Sequence, residues 1–151
     1  MKYVSGDILS YPCNYIVQQC NCQTTTSKGL SESIFRKWPE SNTYNNGKKR
    51  VPGTIDVINV TNDNKYIVNL YGQNKPGSVS GTETWQRRLQ WFESGLNHLV
   101  QHIEPNTVVA FPYMIGCGLA GGNWLHYEPK IMEFSGRLAY KDVTVVIVCL
   151  Q

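Results

Sequence analysis

Phe111-Pro-Tyr-Met-Ile-Gly116-Cys-Gly-Leu-Ala-Gly-Gly-Asn-Trp124 is the stretch on which the reading of this chain turns. Val108, Val109 and Ala110 run into it as a short apolar, β-branched segment, so a buried strand is expected to open here into a glycine-rich turn. Gly116, Gly118, Gly121 and Gly122 give the backbone access to positive φ, and successive N–H groups in such a loop form a concave, partly positive nest that suits an anion. Gly116, Gly118 and Gly121 also fit G-x-G-x-x-G, the dinucleotide fingerprint. That motif belongs in a first βα turn, with an acidic residue ending the next strand, whereas here it lies near the end of the chain and Asp142 precedes the last strand. A tight turn that needs glycine and binds nothing is the plain alternative.

Outward from this loop, the 151 residues are sized for one domain, 1–151, able to bury a core without disulfide staples. Hydrophobic residues make up 41% and charged residues 17%, which excludes a disordered chain. No apolar run nears the roughly 20 residues of a membrane span and no signal-peptide core opens the sequence, so a cytoplasmic protein with no membrane partner is expected. The net charge of +3 is mild, and its one basic run, Lys48-Lys49-Arg50, reads as a solvated loop. No nucleic-acid partner is therefore expected, while a phosphate-bearing small ligand fits. The five cysteines, Cys13, Cys20, Cys22, Cys117 and Cys149, are odd in number and scattered, as reduced thiols would be.

Strands are expected at Lys2–Val4, Tyr15–Cys20, Thr54–Val60, Tyr66–Tyr71, Val108–Pro112 and Val143–Leu150, the third and fourth joined as a hairpin through a turn at Asn62-Asp63-Asn64. Leu30, Ile34 and Trp38 mark one face of a helix closed by Pro39. Ser41–Gly53 reads as the loosest loop. Ser80-x-x-Glu83 has the form of a capping box for the longest helix, whose apolar face is Trp85, Leu89, Phe92, Leu96, Leu99 and Ile103. A third helix is expected from Trp124 to Phe134. Alternating strands and helices predict an α/β fold with a mixed sheet between helical layers.

Single-residue chemistry is thin. His98 and His102 stand at i, i+4 without the glutamate of a zinc-protease helix. Cys20-Asn21-Cys22 lacks a second ligand pair, so no metal and no cofactor are expected. Cys22–Lys28 has the spacing of a cysteine-phosphatase loop without its arginine. Cys117 is a candidate nucleophile with no visible base. What remains is three loops at strand ends: Gly6-Asp7-Ile8, Asn21–Leu30 and Ile115–Asn123. Loops at the carboxyl ends of strands converge on one crevice in an open α/β sheet, and two phosphate-friendly loops imply a pyrophosphate. A carboxylate at Asp7 suits the exocyclic amine of an adenine.

These residues resemble the macrodomain family, the ADP-ribose-binding fold. Gly6-Asp7-Ile8 is similar to the family's Gly-Asp-Ile, whose Asp binds adenine, and Val17-Gln18-Gln19-Cys20-Asn21 is similar to its Val-Asn-Ala-Ala-Asn, whose last Asn faces the distal ribose. Lys28-Gly29-Leu30 resembles the end of the Gly-Gly-Gly-Val loop, and Ala110-Phe111-Pro112 through Gly116-Cys117-Gly118-Leu119 resembles the phosphate-binding loop. The resemblance implies a three-layer α/β/α fold with a mixed, roughly six-stranded sheet. It implies a substrate site of Asp7, Ile8, Asn21, Lys28, Gly29, Leu30, Ile115, Gly116, Cys117, Gly118, Leu119 and Ala120, with Asn21 the candidate catalytic residue.

Cys20-Asn21-Cys22-Gln23, Lys37-Trp38-Pro39-Glu40, Val68–Gln73 and Phe134-Ser135-Gly136 look most like the branch of ADP-ribose 1''-phosphate phosphatases and related bacterial and phage proteins. That branch implies hydrolysis of ADP-ribose 1''-phosphate to ADP-ribose and phosphate, although some relatives carry a His where this chain has Gln18. The alternatives are a non-catalytic reader of ADP-ribose or of ADP-ribosylated protein, and a hydrolase removing ADP-ribosyl or acetyl groups. In the glutamate-linked ADP-ribose hydrolases the catalytic Lys and Asp correspond to Gln73 and Ala120.

Overall fold

The computed structural model describes residues 1–61 and 64–150. Six strands form one sheet: β1 (Lys2–Ser5), β2 (Tyr15–Gln19), β3 (Ile55–Thr61), β4 (Lys65–Leu70), β5 (Val108–Pro112) and β6 (Thr144–Cys149), in the order β1-β6-β5-β2-β4-β3. All neighbours are parallel except β3, which pairs antiparallel with β4 at the edge. The mixed α/β sheet expected from the sequence is therefore present, and the hairpin partners are β3 and β4. Asn62 and Asp63, named for its turn, lie outside the described residues.

Strict alternation assigns the two faces. Tyr15, Val17, Val68, Leu70, Val109, Phe111, Val145 and Ile147 pack with Phe92, Leu96, Leu99, Ile131 and Phe134 of α2 (Trp85–Val100) and α3 (Trp124–Leu138). Ile16, Cys20, Ile67, Tyr71, Ala110, Val146 and Val148 pack with Ile34 and Phe35 of α1 (Leu30–Lys37) on the other face. Period-2 burial on both faces is what a parallel sheet between helical layers requires, and it makes the nearly all-apolar run of β6 intelligible. Gly95 lets α2 lie close on the sheet, since a Cβ there would lie 2.5 Å from Leu70 Cγ.

Three expectations are corrected. Helix α2 is capped by Thr84, whose side chain accepts from Arg87 N, and not by a Ser80–Glu83 box. Glu83 is instead buried as the ion-pair partner of Arg88, at 2.8 Å. Trp85, placed on the apolar face, is exposed and stacks on His126 with ring centroids 4.3 Å apart. The Ser41–Gly53 loop is not loose along its length: Ser41, Thr43 and Tyr44 are buried, because Pro39–Ser41 forms a 3₁₀ turn that tucks them beneath α1.

Candidate functional site

Because five strands run parallel, their carboxyl ends share one edge of the sheet. Central β2 lies between β4 and β5, the point where the chain moves off in opposite directions and where such sheets take ligands. A cavity of about 680 Å³ opens there. Its walls come from Gln18 and Gln19 at the end of β2 and Asn21 beyond it, Thr24, Thr26 and Lys28–Ser31 leading into α1, Gln73 and Pro76-Gly77 after β4, and Pro112–Gly116 with Gly118–Ala120 at and after the end of β5. Tyr44 closes the side. Among the described residues lining it, Lys28 carries the one formal charge, and no carboxylate is present.

The glycine loop is built for packing first. Gly116 sits at φ 77°, and a Cβ there would lie 2.8 Å from Tyr127 Cε1. Gly122 is needed for a different contact, since its Cβ would meet the Gly116 carbonyl at 2.5 Å. Gly118 has open space around it, and with Gly116 it brings bare backbone to the cavity. The N–H of Cys117 is spent on Met114 O at 2.8 Å, and Gly121 and Gly122 donate back to Gly118 and Gly116. Among the described residues, the N–H groups of Gly116, Gly118, Leu119 and Ala120 take no part in these turns, which leaves them as the donors of a nest.

Across the cavity, α1 begins at Leu30 behind Gly29, whose φ is 61° and which offers no capping side chain. The first N–H groups of an uncapped helix have no intrahelical partner, and here they border the same cavity. Lys28 stands exposed on this rim. Two sets of backbone donors therefore face one space.

Asn21 is buried and its amide is engaged within its own loop. Oδ1 accepts from Gln23 N and Thr24 N, both at 2.9 Å, and Nδ2 donates to Thr24 Oγ1 at 3.1 Å and the Tyr44 hydroxyl at 3.3 Å. Arg50, read from sequence as part of a solvated run, clamps this loop by donating to Asn21 O at 3.1 Å and Thr24 O at 2.8 Å, with its guanidinium 4.5 Å from the Tyr44 ring centroid. Gln19 Nε2 donates to Gln73 Oε1 at 2.9 Å, while Gln19 Oε1 is buried without a hydrogen-bond partner among the described residues.

Asp7 and Ile8 are not part of the cavity wall. They lie at the carboxyl end of β1, two strands from β5 on the same edge, with Ile8 buried and Asp7 exposed. Asp7 Oδ1 accepts from Leu9 N at 3.0 Å, which fixes the carboxylate in place.

Cys117 also stays out of the wall: its thiol bonds to Ile115 O at 3.4 Å and packs against the core behind the loop. Burial pushes this thiol up to about 11, so thiolate chemistry is opposed. Alkylation by iodoacetamide should therefore be slow at pH 7 and quicken about tenfold per pH unit from 7 to 10. Rapid labelling of Cys117 at pH 7, read by peptide mass, would contradict this half-buried setting. His98 and His102 are exposed, and no group of three or more His, Cys, Asp or Glu side chains among the described residues could hold a metal ion.

Arg88 went unread in the sequence. It is 2% exposed and, besides Glu83, reaches Gly77 O at 2.7 Å, Ala120 O and Lys75 O at 3.2 Å and Ser78 O at 3.5 Å. Glu83 in turn accepts from Asn74 N and Lys75 N at 3.1 Å. One guanidinium thus fastens the loop after β4 to the glycine loop after β5.

No family model matches the sequence, and no curated relative is detected. Solved structures do match. The macrodomain of Mycobacterium tuberculosis DarG superposes with a TM-score of 0.77 at 26% identity, over 98% of this chain and 97% of that one. This chain has the macrodomain fold. The macrodomain of Thermus aquaticus DarG matches with a TM-score of 0.69 at 22% identity, over 98% and 97% of the two chains. Thermosipho africanus DarTG in complex with ADP-ribose matches with a TM-score of 0.71 at 18% identity, over 97% of this chain and 40% of that one. In macrodomain terms, the cavity lies between the loops that the sequence singled out, and Asp7 stands farther along the same edge.

Proposed function

We propose that this domain binds ADP-ribose. The observation that carries the reading is the cavity itself: two facing sets of free backbone N–H groups, Gly118–Ala120 and the start of α1, with Lys28 at the rim and no carboxylate in the wall. That arrangement suits a pyrophosphate, whose charge is met by N–H dipoles and a single cation. Asp7 would take the adenine amine through the oxygen not bound to Leu9, beside Ile8. Asn21, Ser31 and Gln18 would border the distal ribose. The ADP-ribose held in the Thermosipho africanus structure supports the same ligand class.

Within that reading we favour hydrolysis of ADP-ribose 1''-phosphate as the activity, on the branch-specific segments around Cys20–Gln23 and Val68–Gln73. Among the described residues, the wall holds no histidine, carboxylate or cysteine, so turnover would rest on charge stabilisation by the N–H groups and on water placement. The same lack of a base favours a second reading, a reader of ADP-ribose or of ADP-ribosylated protein. Incubating the protein with ADP-ribose 1''-phosphate and following phosphate release separates them. The phosphatase reading expects release, slowed at least tenfold by Lys28→Met in line with the loss of a charge-assisted contact. ADP-ribose binding with no release would leave the reader.

A further inference from the structure

Gln18 of β2 and Asn69 of β4 are register partners with their side chains on the α1 face, where neighbouring positions are apolar. They are 2% and 0% exposed. Asn69 Nδ2 donates to the backbone carbonyl of Ser41 at 2.8 Å, and a carbonyl accepts only, so the orientation of this amide is fixed. Its Oδ1 therefore faces Gln18, which must present Nε2, at 2.8 Å. Gln18 Oε1 is then left toward Ser31, and the Ser31 hydroxyl has to donate to it, at 2.8 Å. The order continues away from the cavity: Asn69 Nδ2 also donates to Thr43 Oγ1 at 3.1 Å, Thr43 to the Tyr71 hydroxyl at 2.6 Å, and Tyr71 to Asp56 Oδ2 at 2.6 Å. Burial and the bond to Asp56 keep Tyr71 protonated as a donor. Every bond in the row points from the cavity toward Asp56.

Ser31 lines the cavity beside Gln18. With its one proton directed inward, its oxygen has only lone pairs to offer a ligand. We propose that Ser31 is a specificity-determining residue that accepts a hydrogen bond from a free sugar hydroxyl, and that this part of the cavity rejects groups that are acceptors only. A phosphoryl oxygen placed against the Ser31 hydroxyl would meet lone pairs with lone pairs, so phosphate is left to the backbone N–H groups of the glycine loop and of the start of α1. The proposal rests on the ADP-ribose reading above for the identity of the sugar, the terminal ribose.

Calorimetric titration with ADP-ribose tests it. Ser31→Ala, which keeps a good helix residue in the first turn of α1, should stay cooperatively folded with a small drop in the thermal unfolding midpoint, since Gln18 Oε1 borders the cavity and water can replace the lost donor, and should weaken binding about tenfold, while Ser31→Thr, which restores the hydroxyl, should recover most of the loss. A set of ADP-ribose analogues, each with one terminal-ribose hydroxyl replaced by fluorine, supplies the second readout, because fluorine has no proton to give. One analogue should bind the unaltered protein about tenfold more weakly and lose nothing further in Ser31→Ala, the coupling expected of two groups in contact. Equal ADP-ribose affinity in Ser31→Ala and the unaltered protein would overturn the proposal alone, as would fluorine losses that are identical in both. No ADP-ribose binding by the unaltered protein would overturn it together with the reading on which it rests.

Discussion

Replacing Arg88 with Met should lower the unfolding free energy by about 3–5 kcal/mol, the cost of leaving a buried charge without its partner. Glu83 is 4% exposed and would lose its 2.8 Å contact with the guanidinium. The backbone carbonyls of Lys75, Gly77 and Ala120 would lose donors in the same step. Chemical denaturation followed by fluorescence measures the loss. Two companions separate charge from packing. Glu83→Gln in the Arg88→Met background should recover part of the stability, because it removes the stranded charge and leaves an oxygen for Asn74 N and Lys75 N. Arg88→Lys should not recover it, since one ammonium cannot span the carbonyls that a guanidinium fork reaches. Affinity for ADP-ribose should fall with stability in Arg88→Met, because Ala120 and Gly77 both line the cavity. An Arg88→Met protein as stable as the parent would show that the clamp is not holding these loops.

Gly116→Ala should act on binding more than any other change within the glycine loop. Alanine pays twice at this position. The backbone is at φ 77°, which costs a side-chain-bearing residue about 1–3 kcal/mol. The new methyl would also sit 2.8 Å from Tyr127 Cε1, a ring held at 4% exposure against Phe92, so the loop and not the ring must move. The N–H groups of Gly118, Leu119 and Ala120 move with it. Loss of ADP-ribose binding with a fold still cooperative by thermal melting is the expected result. Gly118→Ala, with nothing within 4 Å of its Cβ, is the internal control for added bulk and should perturb the fold far less. Equal effects of the two substitutions would contradict this division of labour among the glycines.

The sheet was legible because β2, β4, β5 and β6 are short apolar runs rich in β-branched residues, as strands buried on both faces are, and turn residues bound them. The loops of the site were legible for a related reason: glycine and small polar residues at strand ends report where the backbone turns. Arg88 and Glu83 were not, because a charged pair on a helix and its approach reads as solvent-facing, and only tertiary packing shows that the carbonyls of two loops surround it. The Ser80–Glu83 pattern then misled, since the glutamate of an apparent capping box is the buried end of that pair. Gln18 and Asn69 interrupt apolar strands, a signal visible in sequence, but their meaning depends on Ser41 and Ser31, which lie far away along the chain. Tyr44 was hidden in an Asn- and Lys-rich loop whose composition suggested exposure.

The central claim is that the cavity between β2, β4 and β5 receives ADP-ribose. Isothermal titration of the unaltered protein with ADP-ribose, repeated with Gly116→Ala, tests it most directly. The account predicts saturable binding of one ADP-ribose per chain, lost in Gly116→Ala while that variant remains folded. Binding that persists unchanged in Gly116→Ala, or no binding to the unaltered protein, would contradict it.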